Sequence, residues 1–515
     1  MFIDAQAIPA GVTVHADICI IGSGPAGLAL AREFDGTATR VAVLESGGLE
    51  FDEFAATLQE GEVAGLPYPA LETVRMRAFG GTAGHWGGNI RPLEDIDLAP
   101  RPEIGRDGWP FARAELDPYY ARARAFFGLP DTVFDRAYWS ARNGAPWDFA
   151  NGAVVSQVFH TVADPAAKSG TFWHDAFARS ENIRVYLHAT VVDIEADGGV
   201  RAVQGVRAAT PDGRRLDVRA DRFVLAAGGI ENARILLLCD RQQRGGLGND
   251  HGLVGKYFQE HLTDPDFALL FPSDPHLRLG FYKGGQHPWG YAWGVLRLAD
   301  RVLRENALTN IRFQLATVTN AFNADMDRPG MVSLQKLTGR RTMFPKDDPL
   351  EHFARVVADI DAVAGAAWQR LVNHPDYPLR RIDVVQIGEQ IPSAASRVRL
   401  SDERDALGQR RAVLDWRVTE ADSEAAAKTA RLLAKFVGES GLGRLADRLP
   451  EGGFAARPPK PHYHHMGTTR MHDDPRRGVV DRDCRVHRLA NFYVAGSSVF
   501  PTGGNANPTY TIVAL

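Results

Sequence analysis

The stretch Ala16-Asp17-Ile18-Cys19-Ile20-Ile21-Gly22-Ser23-Gly24-Pro25-Ala26-Gly27 decides the fold. Residues 16–21 are an apolar run of strand length, and the following GSGPAG opens LALAREF at helical spacing. RVAVLE at 40–45 is a second strand that ends in an acid. Strand, GxGxxG, helix, strand and acid stand in the order a dinucleotide site requires. Gly22 allows the tight turn, Gly24 lets backbone approach a pyrophosphate at the helix N-terminus, and Gly27 lets helix and strand pack closely. Glu45 stands where a carboxylate meets a ribose hydroxyl. A bare GxGxxG would be read as a turn; both strands and the acid together are not.

The far end of the chain carries a second dense pattern. His464-His465-Met466-Gly467-Thr468-Thr469-Arg470-Met471 is followed by NFYVAG at 491–496, a short buried strand, and then by Gly503-Gly504-Asn505-Ala506-Asn507-Pro508-Thr509. Histidine is the side chain best suited to take a proton near neutral pH. Asparagine offers a donor and an acceptor without charge. One at each end of this segment can meet over one reacting atom.

Between these ends lies RMRAFGGTAGHWGGNIRP (75–92), with His85-Trp86 among its glycines. So many glycines exclude a regular helix or a sheet interior. They let backbone approach a flat ligand, or they make a surface loop anchored by Trp86. Residues 101–177 read as excursion and cover, with a helix over 116–127. IRVYLHA and VVDIE then make two strands, residues 205–220 a hairpin around Pro211-Asp212-Gly213, and RFVLAA a buried strand ahead of a helix opened by Gly228-Gly229. That returns the chain to the parallel sheet. FALLF, YAWGVLRL, IRFQLA and IDVVQIG predict a second, mainly antiparallel sheet with helices over 350–372 and 420–439 on one side. The fold class is therefore α/β (α+β). A Rossmann-like cofactor domain is assembled from 1–95, 183–263 and 455–515, and a second domain with its cover segments from 96–182 and 264–454.

Composition sets the outer limits. The chain has 515 residues, 44% of them apolar and 24% charged, with net charge -4. No basic excess exists to neutralise phosphates, so nucleic acid is not the expected partner. Cys19, Cys239 and Cys484 are far apart, with no CxxC, so neither a metal centre nor an iron–sulfur cluster is expected. No secretory or twin-arginine leader and no membrane-length apolar run is present, which predicts a cytoplasmic protein, or a periplasmic one exported with a signal-bearing partner.

Four separated pieces, GSGPAG with its acid, GGTAGHWGG, LAAGGIENARILL and HHMGTTRM with GGNANPT, occur in the order found in glucose–methanol–choline flavoprotein oxidoreductases, which this chain resembles over nearly its whole length. It looks most like the pyranose 2-oxidase and glycoside 3-oxidase or 3-dehydrogenase branch. The resemblance implies FAD in the Gly22–Glu45 site, with its ring between the 80–89 loop and Asn507-Pro508-Thr509. It implies cofactor contacts from Gly81, Thr82, His85, Gly88, Asn89, Val192, Ala227 and Gly496 as well. Many members carry Asp where this chain has Gly496, ahead of Ser497-Ser498-Val499-Phe500-Pro501; the change agrees with the sugar branch. His85 falls where some members tether the flavin covalently; its alternative is a histidine hydrogen-bonded within the loop. The chain ends at TIVAL, where the family usually continues.

His464 matches the first position of the family's HxMG and is implied as the base, with Asn507 as its partner. His465 matches the variable position and is expected to pack or face solvent. The implied reaction is oxidation of a C3 or C2 hydroxyl of a pyranose or glycoside. Its electrons go to oxygen, a quinone or a partner cytochrome, and a small partner subunit is allowed. Gln386 and Glu389 are expected either to meet sugar hydroxyls or to be an ordinary polar edge. Gln259, Glu260 and His261 are placed by analogy near the cofactor or the substrate wall. The alternatives are a non-sugar alcohol as substrate and a non-catalytic flavoprotein-fold subunit. An NAD-dependent dehydrogenase leaves GGTAGHWGG and the C-terminal motif unexplained.

Overall fold

The computed structural model describes residues 1–9, 11–162, 171–317, 329–338, 348–361, 363–364, 379 and 381–515. Its elements form a mixed α/β fold around two large sheets. The first sheet runs in the order Phe2–Asp4, Ile183–Leu187, Val41–Leu44, Thr13–Ile21, Arg215–Leu225, Val203–Ala209 and Thr190–Ala196. Phe492–Val494 also pairs with Arg215–Leu225, in parallel. The apolar runs that signalled strands are its centre: Cys19, Ile20, Val43, Phe223 and Val494 are buried. Continuous burial without alternation is what a parallel sheet covered on both faces demands.

One feature of this sheet differs from the expectation. The second arm of the hairpin and RFVLAA are a single strand, Arg215–Leu225. Its first half pairs antiparallel with Val203–Ala209, while its length pairs parallel with Thr13–Ile21. The polar residues Asp217, Arg219 and Arg222 face outward and mask its continuity in the sequence.

The second sheet is antiparallel, in the order Gly443–Asp447, His261–Pro272, Ile382–Glu389, Ile311–Thr317, Gly290–Leu298, Val154–Val162 and Asn89–Ile90, with Gly285–His287 beside Gly290–Leu298. Val154–Val162 falls inside the segment read as cover, so that segment supplies a sheet strand as well. The period of two sorts the faces. Phe267, Phe313, Ile382 and Val384 pack in one layer with Ala425, Ala430, Leu433 and Val437 of the helix Glu420–Glu439. That helix starts on a capping box made by Thr419 and Asp422, which satisfies two backbone donors. The opposite face carries Thr263, Val385, Ile387 and Arg312, and Thr263 and Val385 line a large cavity. A third sheet joins Arg397–Arg404, Arg410–Trp416 and Gly61–Gly65.

The helix expected over 350–372 is present as Pro349–Ala358; from 365 onward that expectation lies outside the described residues. The helix over 116–127 is present as Asp117–Phe126. No helix among the described residues is long and apolar enough to cross a membrane.

Candidate active site

The two ends of the chain meet at one cavity of about 2380 Å³. Small-molecule pockets usually occupy about 300–1,000 Å³, so this space is large enough for an extended cofactor and a substrate together. The GxGxxG turn forms one end. Gly22 has φ +104°, and a Cβ there would sit 2.6 Å from the Ala226 carbonyl oxygen. At Gly27 a Cβ would lie 2.0 Å from the Gly22 oxygen, so turn and helix are in backbone contact. At Gly24 the same construction meets nothing within 4 Å, and Gly24 caps the helix Pro25–Arg32, whose Pro25 stands at the first position. An open glycine at a helix N-terminus with a free dipole is a cradle for a pyrophosphate.

Glu45 is buried beside this turn. It accepts hydrogen bonds from Ser23 N and Oγ at 3.1 and 2.6 Å and from Gly47 N at 2.9 Å. Burial raises its pKa, and the three donors pull against that. Glu45 thus ties the turn to its strand and lines the cavity. The glycine loop packs on the turn: a Cβ on Gly81 would come 2.9 Å from the Gly24 Cα. Gly81–Gly84 is one 3-10 turn, entered through Gly80 at φ +93°. Gly81, Thr82, His85 and Asn89 line the cavity, as do Ala227, Gly496, Asn507, Pro508 and Thr509. Neighbours take the place of the other two expected contacts. Gly87 and Asn89 line the wall while Gly88 is buried between them, and Val191 lines it while Val192 does not. Along a strand adjacent side chains point to opposite faces, so Val191 faces the cavity and the Val192 side chain points away from it.

At the other end His464 and Asn507 meet. His464 Nε2 lies 3.1 Å from Asn507 Nδ2. Its other ring nitrogen, Nδ1, lies 2.6 Å from Nδ1 of His261, whose Nε2 is 2.8 Å from the Gly504 carbonyl oxygen. Arg312 donates to the Asn505 carbonyl and, at 3.1 Å, to Asn507 Oδ1. Its guanidinium is 4.4 Å from the Phe159 ring centre, and among the described residues it makes no ion pair with a carboxylate. Burial, and then the nearby Arg91, lower its pKa to about 9. It therefore remains a cation at neutral pH. Its field and the surrounding protein hold the histidines neutral. The pKa of His464 lies well below the ordinary value, mainly through desolvation, then through His462, His261 and Arg312. His462 and His261 are lowered to about 3, again chiefly by burial.

A buried carboxylate holds these histidines from behind. Glu260 accepts from the backbone N–H of His261 and of His462, each at an oxygen that the chain delivers by pairing Gln259 with Met466. Tyr68 donates to its other oxygen at 2.7 Å. Burial raises the Glu260 pKa to about 7. His465 does not face solvent: its Nε2 is 2.9 Å from the Tyr68 hydroxyl, and it lines the cavity.

Neither Gln386 nor Glu389 is among the residues that line the cavity. Gln386 pairs across the sheet with Phe313 and Asp264, on the helix-covered face, and is 1% exposed. Glu389 forms a buried ion pair with Arg106 at 2.6 Å and accepts from the backbone N–H of Gly504 at 3.0 Å. It braces the Gly504 turn from behind. Arg312, His462 and Tyr68 were missed. Arg312 had a signal, a lone cation in the apolar run IRFQLA; Tyr68 had none.

The GMC oxidoreductase family model matches residues 392–515, the part that carries His464 and Asn507. Over 97% of its length the chain is 25% identical to a 2-methyl-1,2-propanediol dehydrogenase of Mycolicibacterium austroafricanum, covering 93% of that protein. It is 25% identical to the fructose dehydrogenase large subunit of Gluconobacter japonicus over 85% of this chain and 79% of that one. A C-glycoside 3-oxidase of Arthrobacter globiformis is 35% identical over 22% of this chain and 20% of its own. Among solved structures, a pyridoxine 4-oxidase from Mesorbium loti superposes with a TM-score of 0.56 at 18% identity, covering 97% of both chains, which speaks to the fold.

Proposed function

This chain belongs to the GMC oxidoreductases, FAD flavoenzymes that act on alcohols and sugars, and from that premise we propose that it oxidises a secondary hydroxyl, at C3 or C2, of a pyranose or glycoside to the keto sugar. The observation that carries the proposal is the His464 Nε2 to Asn507 Nδ2 contact of 3.1 Å, on the wall of the cavity that also contains the Gly22–Gly24 turn.

FAD, when bound, supplies the acceptor for the hydride that leaves the carbinol carbon. The protein's part is alignment and proton transfer. His464 Nε2 takes the hydroxyl proton. Asn507 Nδ2, held by Arg312 at its oxygen, donates to the same substrate oxygen and keeps the C–H directed toward the wall assigned to the flavin. Arg312 adds a fixed positive charge that favours the oxygen as it loses its proton. The Gly81–Gly84 turn and Ala227 are assigned to the flavin, and Glu45 with Ser23 to the adenosine end. His462, Thr263 and Val385 stand on the wall assigned to the sugar. We assign residues 1–95, 183–263 and 455–515 to the cofactor domain and the rest to the substrate domain.

The sugar reading is supported by the likeness to a fructose dehydrogenase subunit and a C-glycoside 3-oxidase. The likeness to a diol dehydrogenase favours a second reading, a non-sugar alcohol. Anaerobic mixing of the yellow protein with glucose, methyl glucosides and small diols distinguishes them. Bleaching of the visible band by sugars supports the proposal, and bleaching by diols alone replaces it. Air admitted afterwards shows whether oxygen serves as acceptor in place of a quinone or a partner cytochrome.

A further inference from the structure

The hydrogen-bonded chain behind His464 has fixed polarity at both ends. At one end Arg312 can only donate, so the Asn507 oxygen faces it and the Asn507 NH₂ faces His464. An amide NH₂ can only donate, so His464 Nε2 is the lone pair. The His464 proton is then on Nδ1, and it points to His261 Nδ1 at 2.6 Å. At the other end the Gly504 carbonyl can only accept, so His261 carries its proton on Nε2 and offers a lone pair at Nδ1. The polarity set at Arg312 and the polarity set at the Gly504 carbonyl agree at the contact between the rings.

We propose that His261 is a positioning residue that locks His464 in the Nδ1–H tautomer, so that Nε2, the nitrogen facing the substrate pocket, is always the one free to take a proton. The backbone is arranged for it. Glu260 fixes the His261 and His462 amides, and Glu389 fixes the Gly504 N–H, so the carbonyl that sets the His261 tautomer sits on a braced turn. The rings meet edge to face at 4.9 Å, which leaves each nitrogen pair in line without stacking. When His464 takes the substrate proton, its Nδ1–H remains bonded to a neutral acceptor, and the charge formed is shared with His261 rather than exposed to Arg312 alone. A carboxylate at that place would have quenched Arg312; an imidazole leaves the cation in force.

This inference rests on His464 as base, but its test does not require the substrate class to be right. Holoprotein carrying ring-¹⁵N histidine is examined by nitrogen NMR, with His464 assigned by the signals lost in His464→Asn. The expected result is a pyridine-type Nε2 and a pyrrole-type Nδ1 at His464. In His261→Phe these signals average between tautomers, and anaerobic flavin reduction slows on the order of a hundredfold, as for loss of an orienting partner. His261→Gln, which offers both a carbonyl and an NH₂, restores at least tenfold of that loss. A pyridine-type Nδ1 in the unaltered protein overturns the proposal without any variant, even if His261→Phe fails to fold. So does an unchanged His464 spectrum and rate in a folded His261→Phe. If the spectrum is as expected and no sugar bleaches the flavin, the tautomer lock stands and the sugar reading falls.

Discussion

Replacing Arg312 by glutamine should raise the pH at which flavin reduction is lost. Arg312 is joined to Asn507 at 3.1 Å, and Asn507 to His464 at 3.1 Å, so the cation and the base are separated by one amide. At ~8 Å and an effective dielectric constant of ~20, a unit charge opposes protonation of the base by about 2 kcal/mol. That is about 1.5 pKa units. The sign follows directly. Removing the cation raises the pKa of His464, so the base is protonated and inactive at a higher pH than before. In the unaltered protein the acid limb should lie below the ordinary histidine range, because burial and then the neighbouring charges depress His464. The assay is anaerobic stopped-flow reduction at saturating substrate across the acid range. Arg312→Lys keeps the charge and should keep the limb in place. Because Arg312 pairs with no carboxylate among the described residues, Arg312→Gln strands no opposite charge, and the loss of its hydrogen bonds to Asn505 and Asn507 should cost only about 1–3 kcal/mol, so the unfolding midpoint measured alongside separates an electrostatic effect from misfolding. A yellow, folded Arg312→Gln with its acid limb where the unaltered protein has it would refute the argument.

Other consequences follow from the same geometry. Glu389→Ala leaves Arg106 buried and alone, at a cost of about 3–5 kcal/mol, read as a lower urea midpoint; a shift in sugar preference without a stability loss would return Glu389 to the substrate wall. Gly27→Ala drives a methyl to within 2.0 Å of the Gly22 oxygen, costing about 1–3 kcal/mol and weakening FAD retention, measured by flavin released on dilution. His160, His261, His462 and His465 all have folded pKa values near 3, against an ordinary 6.5, because they are buried neutral. The unfolded chain binds their protons first, so stability should fall as pH drops from about 6.5 towards 3. Glu260 and Asp97 work in the opposite direction, costing stability as pH rises from their ordinary carboxylate values to about 7. The four histidines outnumber these two acids, so the urea midpoint at pH 5 should lie below that at pH 6.5, and an equal midpoint would count against buried neutral histidines.

How much was legible in the sequence depended on whether a residue's role was local. The dinucleotide turn could be read because its spacing is local: Gly27 packs on Gly22 five residues earlier, where a Cβ would lie 2.0 Å from the Gly22 oxygen, whereas the contact of Gly22 with Ala226 joins distant segments and left no mark in the sequence. The parallel strands were legible because burial on both faces leaves an unbroken apolar run. That Val191 and not Val192 lines the cavity was not legible, because alternation tells faces apart but not which face meets the cavity. Glu389 was misread for a related reason: a polar residue on an apolar strand signals a partner, and sequence does not say whether that partner is a sugar or Arg106, far away in the chain. The Arg312, His261 and Tyr68 contacts join elements hundreds of residues apart, and no spacing rule reaches across such distances.

The role proposed for His464 is that of the base for alcohol activation, in an FAD site that is otherwise intact without it. The measurement is single-turnover anaerobic flavin reduction by the best sugar from the panel, for the unaltered protein and His464→Ala side by side. The His464→Ala protein is expected to be yellow, to bind FAD in full amount and to reduce it on the order of a hundredfold or more slowly. A yellow His464→Ala that is reduced at the unaltered rate would contradict that role.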